Sequence, residues 1–138
     1  MILHAFIDGA SRGNPGESGI GLVVKGEKGD VLLAEYGYIG IATNNIAEYS
    51  ALIALLKRIK KVPHTKLIVH SDSELMVRQI NGEYKVKDEK IRRYYHRVLK
   101  LIDGESHQFE LKHVPRSENS EADRLANKGI ESRRKIRI

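Results

Sequence analysis

Cysteine is absent from the 138 residues, which excludes disulfides and thiolate-bound metals and suits a reducing compartment. A long apolar run is absent as well. The opening stretch MILHAFID has neither a basic region nor a sustained hydrophobic segment. A signal peptide and a membrane span are therefore not expected, and the default location is the cytoplasm. Internal repeats, low-complexity tracts and interdomain linkers are also missing. What is present describes an ordinary folded chain. Hydrophobic residues at 41% and charged residues at 30% support a core, and the length suits one domain. The net charge of +6 and a pI near 9.5 fit a polyanionic partner, since Lys and Arg that neutralise phosphates release counterions. Many unrelated proteins are equally basic, so charge alone names no function.

Residues 2–8, ILHAFID, form an apolar run that predicts a strand ending at Asp8-Gly9. The turn formers in SRGNPGESG, residues 11–19, predict a loop. IGLVVKG and VLLAEYGYIG, separated by EKGD, predict a hairpin. A helix is expected from about 44 to 61, stopped by Pro63. KLIVHSD, residues 66–72, reads as a buried strand, and SELMVRQING, residues 73–82, as a short helix closed by Asn81-Gly82. Roughly 87–103 is a helix carrying Ile91, Tyr94, Tyr95, Val98, Leu99 and Ile102 at helical spacing. HQFELKHV, residues 107–114, alternates as a strand, and a last helix runs from about 118 to 132. Hairpins first and crossover helices later imply an α/β fold, a mixed sheet with helices on its faces. Residues 1–132 are expected to form the single domain, with the basic tail 133–138 projecting from it.

Four acids stand where their surroundings make them conspicuous. Glu48 leads a helical stripe with Leu52, Leu55 and Ile59, in steps of four, three and four, so it shares a face meant for the core. One reading is a capping box with Asn45, favoured by the helix dipole. Asp8 reads as part of an Asp-Gly turn, Asp72 as an N-cap, and Asp123 as a first-turn acid in line with Ala126 and Ile130. Taken together they suggest more. In α/β sheets, ligand sites gather where strands end and helices begin, and these four positions are of that kind. If they converge, their repulsion raises each pKa unless cations bind, and hard divalent ions such as Mg²⁺ suit oxygen ligands. Two such ions about 4 Å apart form a clamp for attack on a phosphodiester.

The blocks FIDGASRGNPGESGIG, TNNIAEYSALIAL, HSDSELMVRQI and HVPRSENSEADRLAN, in that order from Phe6 to Asn127, resemble those of the type 1 ribonuclease H family. The resemblance implies a mixed five-stranded sheet flanked by helices, three antiparallel strands followed by crossover strands. It implies an endoribonuclease that hydrolyses the RNA strand of RNA–DNA hybrids, leaving 5′-phosphate and 3′-hydroxyl ends. The set Asp8, Glu48, Asp72 and Asp123 would bind two Mg²⁺ ions, with Mn²⁺ as a substitute. Asn14, Asn44 and Asn45 match positions that contact the hybrid's minor groove, where 2′-hydroxyls are displayed, and Gly9 brings backbone close to the strand. Thr43 matches a phosphate contact on the DNA side, and Ser73 and Glu74 fall at further substrate positions. The family pattern implies a monomer with a nucleic-acid partner and no membrane partner.

The chain departs from that pattern in three places. His113, ten residues before Asp123, matches a histidine linked to proton transfer, but here it ends an alternating strand and is followed by Pro115. A structural histidine sharing a face with Phe109 and Leu111 is the rival reading. Glu74 replaces a substrate-contacting glutamine, and its charge would repel phosphates. The basic protrusion of many members is missing, its place taken by NGEYKVKDEK, which leaves Arg92, Arg93 and the tail cations as substitutes. Two further readings stand beside the hybrid nuclease: a nuclease of the same fold acting on double-stranded RNA, and a non-catalytic hybrid-binding module.

Overall fold

Side-chain alternation along β1 (Ile2–Gly13) sorts the two faces of the sheet. Leu3, Ala5 and Ile7 are fully buried on one face, while His4, Phe6 and Asp8 point to the other. The computed structural model describes residues 1–104 and 108–138. β2 (Gly16–Lys25) and β3 (Val31–Ala42) continue an antiparallel meander from β1. β4 (Lys66–Ser71) and β5 (Gln108–His113) add in parallel on the far side of β1, giving the order β3-β2-β1-β4-β5. This is the mixed five-stranded sheet expected from sequence. The expected strand start at His107 lies outside the described residues.

Helix α1 (Asn44–Ile59) packs against the face of Leu3, Ala5 and Ile7, burying Leu52, Leu55 and Ile59 completely. It starts at Thr43, whose hydroxyl accepts from the N–H of Ile46, and ends before Pro63 as expected. α2 (Glu74–Ile80) lies against β5, and α3 (Glu89–Asp103) packs on α1. A 3₁₀ turn at Arg116–Glu118 leads into α4 (Ser120–Ser132), which covers the opposite face over β2 and parts of β1 and β3. That seat has no side chains on the sheet side at two points. A Cβ on Gly19 would lie 2.5 Å from the carbonyl oxygen of Ala126, and one on Gly21 would lie 2.4 Å from that of Ala122. No helix among the described residues is long and apolar enough to cross a membrane.

Two expectations need correction. Residues 11–19 are not a loop: β1 runs on to Gly13, β2 begins at Gly16, and only Asn14 and Pro15, joined by a cis peptide, form the turn. Gly13 takes a positive φ of 115° beside the turn, Gly19 serves close packing against α4, and the serines hold a strand end. Ser11 and Ser18 both donate to the carbonyl of Ala42, at 2.9 and 3.1 Å. Nor does the basic tail project. It lies along β3 as a short strap, with Tyr38 N–H donating to Arg134 at 2.7 Å and Ile136 N–H donating to Tyr38 at 3.3 Å. Gly37 makes room for Ile136, and Arg133 and Arg134 stack over Tyr38 and Tyr36.

Candidate active site

Asp8 sits one residue past the buried Ile7, near the middle of the long β1 and beyond the last residue paired with β4. Asp72 follows the last residue of β4, which lies parallel and adjacent to β1. Parallel neighbours end on the same side, so the two carboxylates meet. α1 presents Glu48 in the same place, and one oxygen from each of Asp8, Glu48 and Asp72 lies within 4.8 Å of the others. Asp123, in the first turns of α4, lines the same cavity of about 400 Å³, together with Gly9, Asn44, Arg116 and Asn127.

The sequence allowed a capping role for Glu48, and the structure assigns its carboxylate elsewhere. Its Oε1 accepts a 2.7 Å hydrogen bond from the backbone N–H of Gly9. Gly9 permits that approach because a Cβ there would fall 2.2 Å from the backbone carbon of Ala47. The cap belongs to Thr43 instead. Asp72 is likewise not the cap of α2, since Ser73 Oγ accepts from Met76 N–H.

The acids are held against their own repulsion. Asp8 is 4% exposed. Burial drives its pKa well above the ordinary carboxylate range, and the charges of Glu48, Asp72 and Asp123 push it further in the same direction. Burial also raises Glu48, against the pull of the Gly9 N–H. Among the described residues no Lys or Arg pairs with Asp8, Glu48 or Asp72, and the one nearby cation, Arg116, stands 3.8 Å from Asp123 and is largely exposed. A concentrated set of oxygen donors without a protein counter-charge fits a hard divalent cation.

The other expected residues divide into two groups. Asn14 Oδ1 accepts from the N–H of Asn44 at 3.1 Å, tying the β1–β2 turn to the start of α1 beside the acids. Thr43 and Asn45 share that helix start, and Asn45 Oδ1 is buried without a hydrogen-bond partner. Ser73 and Glu74 do not line the acidic cavity. Glu74 is exposed in the first turn of α2 and pairs with Arg78 at 3.1 Å. His113 pairs in register with Ser71, next to Asp72 along β4, and its side chain is exposed. The strand's end reaches solvent at His113, whereas Leu111 two residues earlier on the same face is buried.

Three contributors escaped the sequence reading. Asn119, which precedes α4, looks like a cap but makes no capping bond; its Nδ2 donates to the Ile7 carbonyl at 2.8 Å and so moors α4 beside Asp8. Asn127 donates to the Asp123 carbonyl, and its position four residues on was the available signal. Arg116 had none beyond its charge.

Comparison with known proteins agrees with this geometry. A family model described as reverse transcriptase-like matches residues 6–129. Ribonuclease HI of Halobacterium salinarum is 38% identical over 129 residues, an alignment spanning 94% of this chain and 64% of that protein. A bifunctional protein of Mycobacterium tuberculosis is 41% identical over 126 residues, spanning 91% of this chain and 34% of that one. The chain thus covers less than two thirds of the length of these relatives. Among solved structures, RNase H1 from H. salinarum superimposes with a TM-score of 0.90 at 37% identity, covering 96% of this chain and 99% of that one. LC11-RNase H1, solved in complex with an RNA/DNA hybrid, gives 0.89 at 37% identity, covering 94% and 97%.

Proposed function

The chain belongs to the type 1 ribonuclease H family, and from that premise we propose that it is an endoribonuclease cleaving the RNA strand of RNA–DNA hybrids. The observation that carries the reading is the meeting of Asp8, Glu48 and Asp72 within 4.8 Å, with Asp123 on the same cavity. A pure binding module would gain nothing from uncompensated anions placed where phosphates must lie.

Asp8, Glu48, Asp72 and Asp123 are proposed to hold Mg²⁺, with Mn²⁺ as a substitute. When bound, divalent cations lower the pKa of a water and stabilise the departing 3′ oxygen. The chain's own groups set the geometry. Gly9 N–H fixes the Glu48 carboxylate, and Asn119 fixes the start of α4 relative to β1. Water oxygen bonds to phosphorus as the bond to the 3′ oxygen breaks. One fragment keeps the phosphate at its 5′ end, and the other takes a proton to become a 3′-hydroxyl.

Gly9 and Asn44 line the acidic cavity, and Asn14 is tied to Asn44; Asn14, Asn44 and Asn45 are proposed to read the 2′-hydroxyl-bearing minor groove, Gly9 to bring backbone close to the strand, and Thr43 to contact a phosphate of the DNA strand. His113, exposed beside the end of β4, is proposed to carry protons to and from the leaving group. Ser73 and Glu74, outside the acidic cavity, are proposed to meet the substrate farther along its strand.

The test is a cleavage assay with labelled RNA–DNA hybrid, double-stranded RNA, single-stranded RNA and duplex DNA, each with Mg²⁺ or Mn²⁺, beside an Asp8→Asn control. Cleavage of the hybrid that disappears in the control is expected. Cleavage confined to double-stranded RNA would move the substrate, and no cleavage of any substrate would favour a binding module.

A further inference from the structure

At the far end of α1 from the acids, a groove of about 520 Å³ opens between the start of β3 and the last turn of the helix. Its lining is aliphatic, with Leu32, Leu33 and Val62, and it contains no aromatic ring. Leu32 stays 42% exposed, and the adjoining Val31 stays 56% exposed. Lys57, Lys61 and Arg137 line its edges. The single acid present, Glu35, is already taken by Arg58 at 2.8 Å, and Arg58 is fixed further by donating to the carbonyls of Ala54 and Arg137. Among the described residues Lys57 and Lys61 make no ion pair.

We propose that this groove docks an extended acidic segment of a partner protein. Its carboxylates would face Lys57, Lys61 and Arg137, and its apolar side chains would cover Leu32, Leu33 and Val62. Charge complementarity selects the sign of the partner, because Lys57, Lys61 and Arg137 remain after Arg58 has neutralised Glu35. The aliphatic floor selects a peptide over a nucleic acid: bases have no ring to stack on, and phosphates gain nothing from leucine. β3 is also an outer strand of the sheet, bridged among the described residues by the tail at Tyr38 alone, so its first half offers main-chain groups to an extended chain. Ten residues of helix separate Arg58 from Glu48, roughly 15 Å. A docked segment therefore leaves the carboxylate cavity open, and partner binding and hybrid cleavage are compatible on one molecule.

Selection from a displayed library of random dodecapeptides tests the idea, with the wild-type chain as bait. Enrichment of peptides combining at least two acids with neighbouring apolar residues is expected. Their recovery should drop about tenfold or more on Lys57→Glu/Lys61→Glu, which corresponds to replacing attraction by repulsion at two positions. Leu32→Ser should reduce recovery as well, and the matched reversal Lys87→Glu/Lys90→Glu should not. Thermal melting and hybrid cleavage should be unchanged in the groove variants, since all three residues are exposed and far from the acids. Equal loss in both charge reversals, or indifference to Leu32→Ser, would mean that only general electrostatic attraction is at work and would overturn the proposal. So would enrichment of peptides without acids.

Discussion

The two ends of α1 treat charge in opposite ways. Near its start, Glu48 is placed among three other acids and receives one backbone N–H for compensation. At the last turn, Arg58 meets Glu35 at 2.8 Å and two carbonyls besides, so every strong interaction it offers is answered. The same helix thus carries an unfavourable arrangement at one end and a satisfied one at the other. Local stability does not explain the first end. The fold holds it in place with groups that cost little elsewhere, the Gly9 N–H and the Asn119 amide.

Substituting each end in turn separates the two. Glu48→Gln keeps an acceptor for Gly9 N–H and removes the charge. Hybrid cleavage should fall by about 10³-fold or more, equivalent to several kcal/mol of lost transition-state stabilisation, while the melting temperature holds or rises. Parallel kinetics and calorimetry would show the opposing signs, and a variant that melts lower would contradict the account. Arg58→Met should do the reverse: cleavage unchanged, stability lower by about 1–2 kcal/mol, read from urea titrations. A smaller effect should appear with pH. Asp8 and Glu48 hold protons more tightly in the folded chain than in the unfolded one. Their contribution to stability is therefore complete below the ordinary carboxylate range and is lost as pH rises above it. In EDTA, stability should decline by on the order of 1 kcal/mol between pH 5 and 8 relative to Glu48→Gln, and Mg²⁺ should cancel the difference. A flat difference in EDTA would mean that the acids are better solvated than their burial indicates.

Much of this arrangement was legible in the chain. The Glu48 stripe announced a carboxylate on a core-facing helix, and Asp72 stood where its strand ends, because strand and helix periods are local properties of a sequence, whereas the strand end expected at Asp8 is overturned by a β1 that runs on to Gly13. What depends on distant partners was not legible. SRGNPGESG contains the residues of a loop, yet its Gly19 is a spacer beneath α4 and its serines brace Ala42, facts visible only once three elements are stacked. The strap escaped for the same reason: a basic tail looks solvated until Gly37 offers Ile136 a notch. Asn119 went unnoticed, and only the fold reveals that its amide crosses to β1.

Where α4 rests on Gly19 and Gly21, the sheet touches the helix through bare peptide groups. A joint of that kind has no adjustable part: no rotamer can turn aside and no methylene can be shortened to absorb an error. Any side chain added at 19 or 21 acts as a shim under one helix, lifting Asp123 away from acids that stay anchored to β1, β4 and α1. Tolerance to substitution in this molecule is accordingly set at positions that carry no chemistry of their own.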